Sequence, residues 1–159
     1  HYQTGEVMPD SLIAKINKAG KFNQGFVQTE LLSAAILDMD YHKMNTTEAF
    51  DVNAFEAASM KKMQMIPEII TRYRSTFYNH IFTTGYAAGY YSYTWAAVLD
   101  ADAFAAFAET GDILNPEMAK KFAHLLEQGG TRDAALLYQE FRGKDADPKH
   151  LLKRSGFED

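Results

Sequence analysis

Asn-Gln-Gly-Phe-Val-Gln-Thr-Glu-Leu-Leu-Ser-Ala-Ala-Ile-Leu-Asp-Met-Asp-Tyr, residues 23 to 41, carries the rhythm that decides the fold class. Phe26, Val27, Leu31, Ala34, Ala35 and Asp38 recur at the 3.6-residue period of one helix face, and Asn23 stands where an N-cap belongs. The same punctuation continues on both sides. Pro9 and Asp10 precede a short amphipathic stretch, Ser11 to Ala19, that Gly20 can stop. Asp51 can start a helix running to about Met65, ahead of Pro67. From Pro67 to Thr84 a short helix mixes with loop, and a helix from about Tyr86 to Ala108 is closed by Gly111. Asn115 and Pro116 form an N-cap and N1 pair for a helix ending at Gly129 and Gly130, with Thr131 to Phe141 and Pro148 to Arg154 completing the set. No stretch alternates in the manner of a strand, and no internal repeat appears. The class expected is all-α.

A chain of 159 residues, 47% hydrophobic and 23% charged, can bury one core, and one helical domain over residues 1 to 159 is the expectation. The formal charge of −5 gives no broad basic field for nucleic acid, and no run of about eighteen apolar residues suggests a membrane span. With no cysteine there is no disulfide, which leaves the compartment open.

The chemistry-bearing segment is His80-Ile-Phe-Thr-Thr-Gly-Tyr-Ala-Ala-Gly-Tyr-Tyr-Ser-Tyr-Thr-Trp95. If it is helical, Tyr86, Tyr90 and Tyr93, at i, i+4 and i+7, share one face within about two turns. Protonated phenols and an imidazole can donate hydrogen bonds to a carbonyl oxygen that gains negative charge. On periodicity alone, aromatics at this spacing are more often core than catalysis, and a histidine flanked by Phe77, Ile81 and Phe82 is more often a satisfied core histidine. Trp95 reads as core, and Tyr91, out of register, as packing or as a contact to another part of the intact protein. Arg72 and Arg74 suit a carboxylate contact or a structural ion pair.

This segment resembles the C-terminal part of the thimet oligopeptidase and peptidyl-dipeptidase family of zinc metallopeptidases, where a histidine, a glycine-rich loop and a Gly-Tyr-x-x-x-Tyr-Tyr-x-Tyr run face the metal. His-Tyr-Gln-Thr-Gly-Glu-Val-Met-Pro-Asp (1 to 10), Phe-Asn-Gln-Gly-Phe (22 to 26), Leu-Asp-Met-Asp-Tyr-His (37 to 42), Arg-Tyr-Arg-Ser-Thr (72 to 76), Trp-Ala-Ala-Val-Leu-Asp-Ala-Asp-Ala-Phe (95 to 104) and Phe-Arg-Gly-Lys (141 to 144) resemble it in the same order. The pieces at 23 to 26 and 37 to 42 are most similar to the bacterial peptidyl-dipeptidase branch. The resemblance implies the C-terminal helical part of a zincin-like peptidase that releases dipeptides from the C-terminus of short peptides. The alternatives are a fragment of an endo-acting zinc oligopeptidase and a non-catalytic helical interaction module.

It also implies roles. Tyr93 would donate to the oxyanion and His80 would sit beside it as the second catalytic group. Tyr86 would close on the peptide, Tyr90 would line the pocket, and Gly85 and Gly89 would let the loop change its backbone angles as substrate enters. Thr83 and Thr84 stand where many relatives carry glycine, which bears on the loop's amplitude of motion. The family's His-Glu-x-x-His signature is not in the sequence, and His1, His42, His80, His124 and His150 are too widely spaced to replace it. Zinc is thus expected only in the intact enzyme, with its ligands upstream of residue 1, and no metal site is expected in the chain itself. The isolated chain, which opens on His1, is expected to be an inactive piece. Its expected partners are short peptides and the missing N-terminal part, with self-association through the uncovered apolar face. A cytoplasmic location is expected, or a periplasmic one if a leader lies upstream.

Overall fold

The computed structural model describes residues 1–46 and 48–158. These residues form eight α-helices and one 3-10 turn, with no strand: α1 (Asp10–Gly20), α2 (Gln24–His42), α3 (Val52–Lys62), the turn Ser75–Phe77, α4 (Asn79–Thr83), α5 (Ser92–Glu109), α6 (Pro116–Gln128), α7 (Ala134–Arg142) and α8 (Lys149–Ser155). The all-α reading holds. The chain packs as two compact units, His1–Phe22 with Ala96–Asp159, and Asn23–Trp95, so that the division falls inside α5.

Local chemistry sets most boundaries. The Asp51 carboxylate accepts from the N–H groups of Asn53 (2.9 Å) and Ala54 (3.1 Å) and starts α3. Asn115 does the same for Glu117 (3.1 Å) and Met118 (2.9 Å), with Pro116 at the first helical position of α6. Helix α7 starts at Ala134, past the expected Thr131, because Asp133 caps it through Ala135 (2.9 Å) and Leu136 (3.1 Å). Helix α3 stops at Lys62, short of the expected Met65, because Gln64 takes a left-handed conformation (φ 58). The Met65 N–H then returns to Met60 O (3.2 Å) and the Gln64 N–H to Lys61 O (3.0 Å), a Schellman closure with glutamine in the place glycine usually fills. Asn23 precedes α2 as expected, but it too is left-handed (φ 58) and its side chain makes no capping bond.

In the Asn23–Trp95 unit the core is Ala34, Ala35, Leu37, Tyr41, Tyr78, Ile81 and Tyr90, backed by Leu31, Met44, Phe55, Met60 and Tyr73. Small residues on the buried stripe of α2 let the Tyr78 ring lie against the helix and donate its hydroxyl to Ala34 O at 3.1 Å. Glu56 fixes the 3-10 turn to α3, accepting from the Ser75 N–H (2.7 Å) and hydroxyl (2.8 Å) while Arg74 pairs with its other oxygen at 2.6 Å.

In the other unit Ala103, Ala106, Tyr138 and Phe141 form the core, with Phe122 of α6 edge-on to Phe107 (5.9 Å) and tilted on Phe141 (5.4 Å). Beside it lies Asp102, wholly buried, accepting from the Tyr138 hydroxyl (2.6 Å) and Arg142 Nε (3.0 Å), with His150 Nε2 at 3.3 Å. Arg142 also forks onto Glu109 at 2.6 and 2.7 Å. Burial pushes the Asp102 carboxyl up, but the Tyr138 hydroxyl and the Arg142 guanidinium together hold it below the usual carboxylate range. Arg142 likewise lowers Glu109.

A carboxyl lowered in the folded state stabilises the fold above its unfolded value, roughly pH 4, and that contribution is lost as the pH falls through the folded value. Thermal midpoints are therefore expected to hold from pH 7 to about 5 and to fall steeply below about pH 4. A midpoint unchanged down to pH 3 would show that these pairs contribute nothing.

Candidate functional site

The Asn23–Trp95 unit gathers the expected residues around one loop. Helix α4 delivers His80 and ends where Thr83 and Thr84 turn their hydroxyls back on it: Thr83 Oγ1 bonds Asn79 O (3.0 Å) and Oδ1 (2.6 Å), and Thr84 Oγ1 bonds His80 O. Residues 85 to 91 form turns, and α5 begins only at Ser92. The expectation of one helix from Tyr86 is therefore corrected. The 3.6-residue spacing of the tyrosines is present, but Ala88 sits at φ 52, which no right-handed helix accommodates.

The turn nevertheless brings the rings together. Tyr86 stacks on Tyr93, centroids 5.2 Å apart and planes 19° from parallel. Tyr90 lies 5.0 Å from Tyr93, and His80 lies 6.0 Å from Tyr86 and 5.9 Å from Tyr90. The exposures divide the set. Tyr86 is 37% and Tyr93 39% exposed, on open surface, whereas Tyr90, expected to line a pocket, is 3% exposed. It packs edge-on against Tyr78 (5.3 Å) and Tyr73 (6.1 Å). His80 is half-buried. Neither Gly85 nor Gly89 has positive φ; a Cβ on Gly85 would meet nothing, and one on Gly89 would touch Tyr86 O at 3.4 Å.

The Tyr93 phenol is pushed up to about 12, first by the hydroxyl of Tyr86 beside it and then by burial and by the neighbouring phenols. It therefore keeps its proton throughout the neutral range. Burial, then the Tyr73 phenol, raises Tyr90.

Sequence reasoning missed the groups beneath the loop. Asp38 of α2, wholly buried, accepts from the Ala88 N–H (Oδ1, 2.9 Å) and the Tyr90 N–H (Oδ2, 2.9 Å), with His42 Nδ1 2.8 Å from Oδ1. A carboxylate on the buried stripe of α2 was the available signal. Tyr73 stacks on Tyr78 (4.9 Å) and lies 5.3 Å from His80. Arg72 pairs with Glu30 (2.8 Å), its guanidinium 5.6 Å over the Tyr73 ring, and Arg74 pairs with Glu56, so both arginines are in structural ion pairs. Trp95, expected in the core, is 52% exposed, and Tyr91 is 55% exposed.

Among the described residues, no three His, Cys, Asp or Glu side chains converge to hold a metal ion, and no helix is long and apolar enough to cross a membrane. What the arrangement offers is a pair of stacked, half-exposed phenols and an imidazole, all able to donate hydrogen bonds toward a polar ligand.

The chain is 40% identical over 158 residues to dipeptidyl carboxypeptidase of Escherichia coli, an alignment covering 98% of this chain and 23% of that one. It is 37% identical over 161 residues to a probable cytosolic oligopeptidase A of Arabidopsis thaliana (98% and 23% covered). With oligopeptidase A of Haemophilus influenzae it shares 34% over 158 residues (98% and 23%). The chain thus spans about a quarter of the length of these relatives. The sequence profile of peptidase family M3 matches residues 1–157, and the chain belongs to that family.

Proposed function

We propose that this chain is the substrate-binding and transition-state-stabilising part of a peptidyl-dipeptidase. The observation that carries the reading is the stacked Tyr86–Tyr93 pair, with His80 beside Tyr86, exposed enough to meet a peptide. Tyr93 donates its hydroxyl proton in a hydrogen bond to the scissile carbonyl oxygen as that oxygen gains charge, a contribution of about 3 to 4 kcal/mol for one well-placed donor. His80, which packs beside Tyr86 and Tyr90, serves as a second donor or a hold on the peptide backbone. Tyr86 covers the substrate, Gly85 and Gly89 leave room for the loop to move, and Tyr90 forms the floor of the site from beneath. Zinc, which would activate the attacking water in the intact enzyme, takes its ligands from outside these 159 residues. The substrates are short peptides, and the compartment is the cytoplasm.

The remainder of the intact protein covers apolar surface that this chain exposes. Helix α1 has no buried residue, and its Leu12, Ile13 and Ile16 are 46%, 42% and 57% exposed. Alone, the chain self-associates through such patches.

Matched peptides with free and amidated C-termini, given to the full-length protein, test the exo mode. Only the free series is expected to release dipeptides. Equal cleavage of both series would replace this reading with an endo-acting oligopeptidase, which needs no terminal carboxylate.

A further inference from the structure

We infer that Asp38 is a positioning residue that sets the presentation of Tyr86 and Tyr93. A carboxylate with no exposure must find partners for both oxygens, and Asp38 finds them in a loop about fifty residues further along the chain. Oδ1 takes the Ala88 N–H and Oδ2 the Tyr90 N–H, each at 2.9 Å, while His42, one helical turn on, places Nδ1 2.8 Å from Oδ1. These bonds to a buried acceptor hold Ala88 in the left-handed region (φ 52), which an L-residue avoids when unrestrained. The backbone position so fixed has two consequences. The Tyr90 ring turns into the core, and the tight turn closed by the Gly89 N–H on Tyr86 O (2.8 Å) swings Tyr86 out to stack on Tyr93. Asp38 touches neither hydroxyl, so its influence on both passes through the backbone of residues 88 and 90.

The catalytic side of this inference rests on Tyr93 as the oxyanion donor, and the test separates the two. Hydrogen–deuterium exchange is read by mass spectrometry on the full-length protein, wild type against Asp38→Asn, which keeps volume but turns an amide N–H toward one of the two backbone donors. Peptides covering residues 85 to 92 are expected to exchange about 10- to 100-fold faster, while α2 and α5 stay protected. Turnover is expected to fall by as much as about 100-fold, as misplacement of reacting groups by an ångström does. The double variant Asp38→Asn/Tyr93→Phe should lose no more than Tyr93→Phe alone, because the first change acts through the second residue. Ala88→Val, at a half-exposed turn position where a β-branched residue resists positive φ, should reproduce the loop exchange with Asp38 intact, and it serves if Asp38→Asn does not fold. Unchanged exchange at 85 to 92, or losses that simply add in the double variant, would overturn the assignment. Faster exchange alongside wild-type turnover in Tyr93→Phe would remove the donor reading and keep the anchor.

Discussion

Tyr93→Phe in the full-length protein is expected to lower kcat by about 100- to 1,000-fold with little change in KM, because in the proposed role the hydroxyl binds an oxygen that carries charge only in the transition state. The substitution removes one oxygen from a ring that is 39% exposed and keeps the stack on Tyr86, so the packing it disturbs is small. A purely structural hydroxyl would show the opposite split, with stability lower by about 1 kcal/mol and turnover intact. Tyr86→Phe should act more weakly and on both parameters. In the proposed role its ring covers the bound peptide, so part of what it would supply is ground-state binding. It also removes the neighbour that holds the Tyr93 phenol up at about 12, and so changes the donor as well as the lid. Melting temperatures measured beside the kinetics separate chemistry from packing, and wild-type turnover in Tyr93→Phe would end the proposed role.

The division between what could and could not be read from the sequence follows the range of the interactions. Asp51 and the Asn115–Pro116 pair mark helix starts through bonds to residues two or three positions on, and such signals survive without knowledge of the fold. The tyrosine loop failed as a helix for the converse reason. Its spacing is helical, but the amides of Ala88 and Tyr90 are taken by a carboxylate from α2, and no local window contains that competitor. Thr83 and Thr84 stand in sequence where they bear on loop motion, whereas in the fold their hydroxyls turn back onto α4. At the candidate site, the neighbours of Tyr86 were legible, since its ring lies against both Tyr93 and His80. Which ring turns inward was not, because Tyr86 and Tyr90 differ only in what lies beneath them. Asp38 and Asp102 share a lesson. Each is a carboxylate on a mostly apolar helix stripe, and each proves to be wholly buried with partners far away in sequence.

Arg142→Ala is expected to cost about 3 to 5 kcal/mol, a large part of the roughly 5 to 15 kcal/mol that holds a typical domain folded. The size comes from what is left behind. Arg142 is itself buried, its side chain 6% exposed, and it supplies the guanidinium facing the wholly buried Asp102 as well as the fork on Glu109. Without it Asp102 keeps the Tyr138 hydroxyl at 2.6 Å and His150 at 3.3 Å, too little to offset an ionised carboxylate removed from water. Arg142→Lys keeps the charge but cannot reach both carboxylates with a planar fork, and should lose an intermediate amount. Arg154 provides the internal control. It also pairs with an aspartate of α5, Asp100 at 2.6 Å, but the side chains are 48% and 71% exposed, and Arg154→Ala should cost no more than about 1 kcal/mol. Replacing Asp102 and Arg142 together by apolar residues of similar volume tests the reasoning further, since the penalty belongs to the stranded charge more than to the lost attraction, and much of the stability should return. Urea unfolding of the four variants measures these differences. An Arg142→Ala cost no larger than that of Arg154→Ala would mean that burial of the Asp102 carboxylate contributes nothing to the energetics of this unit.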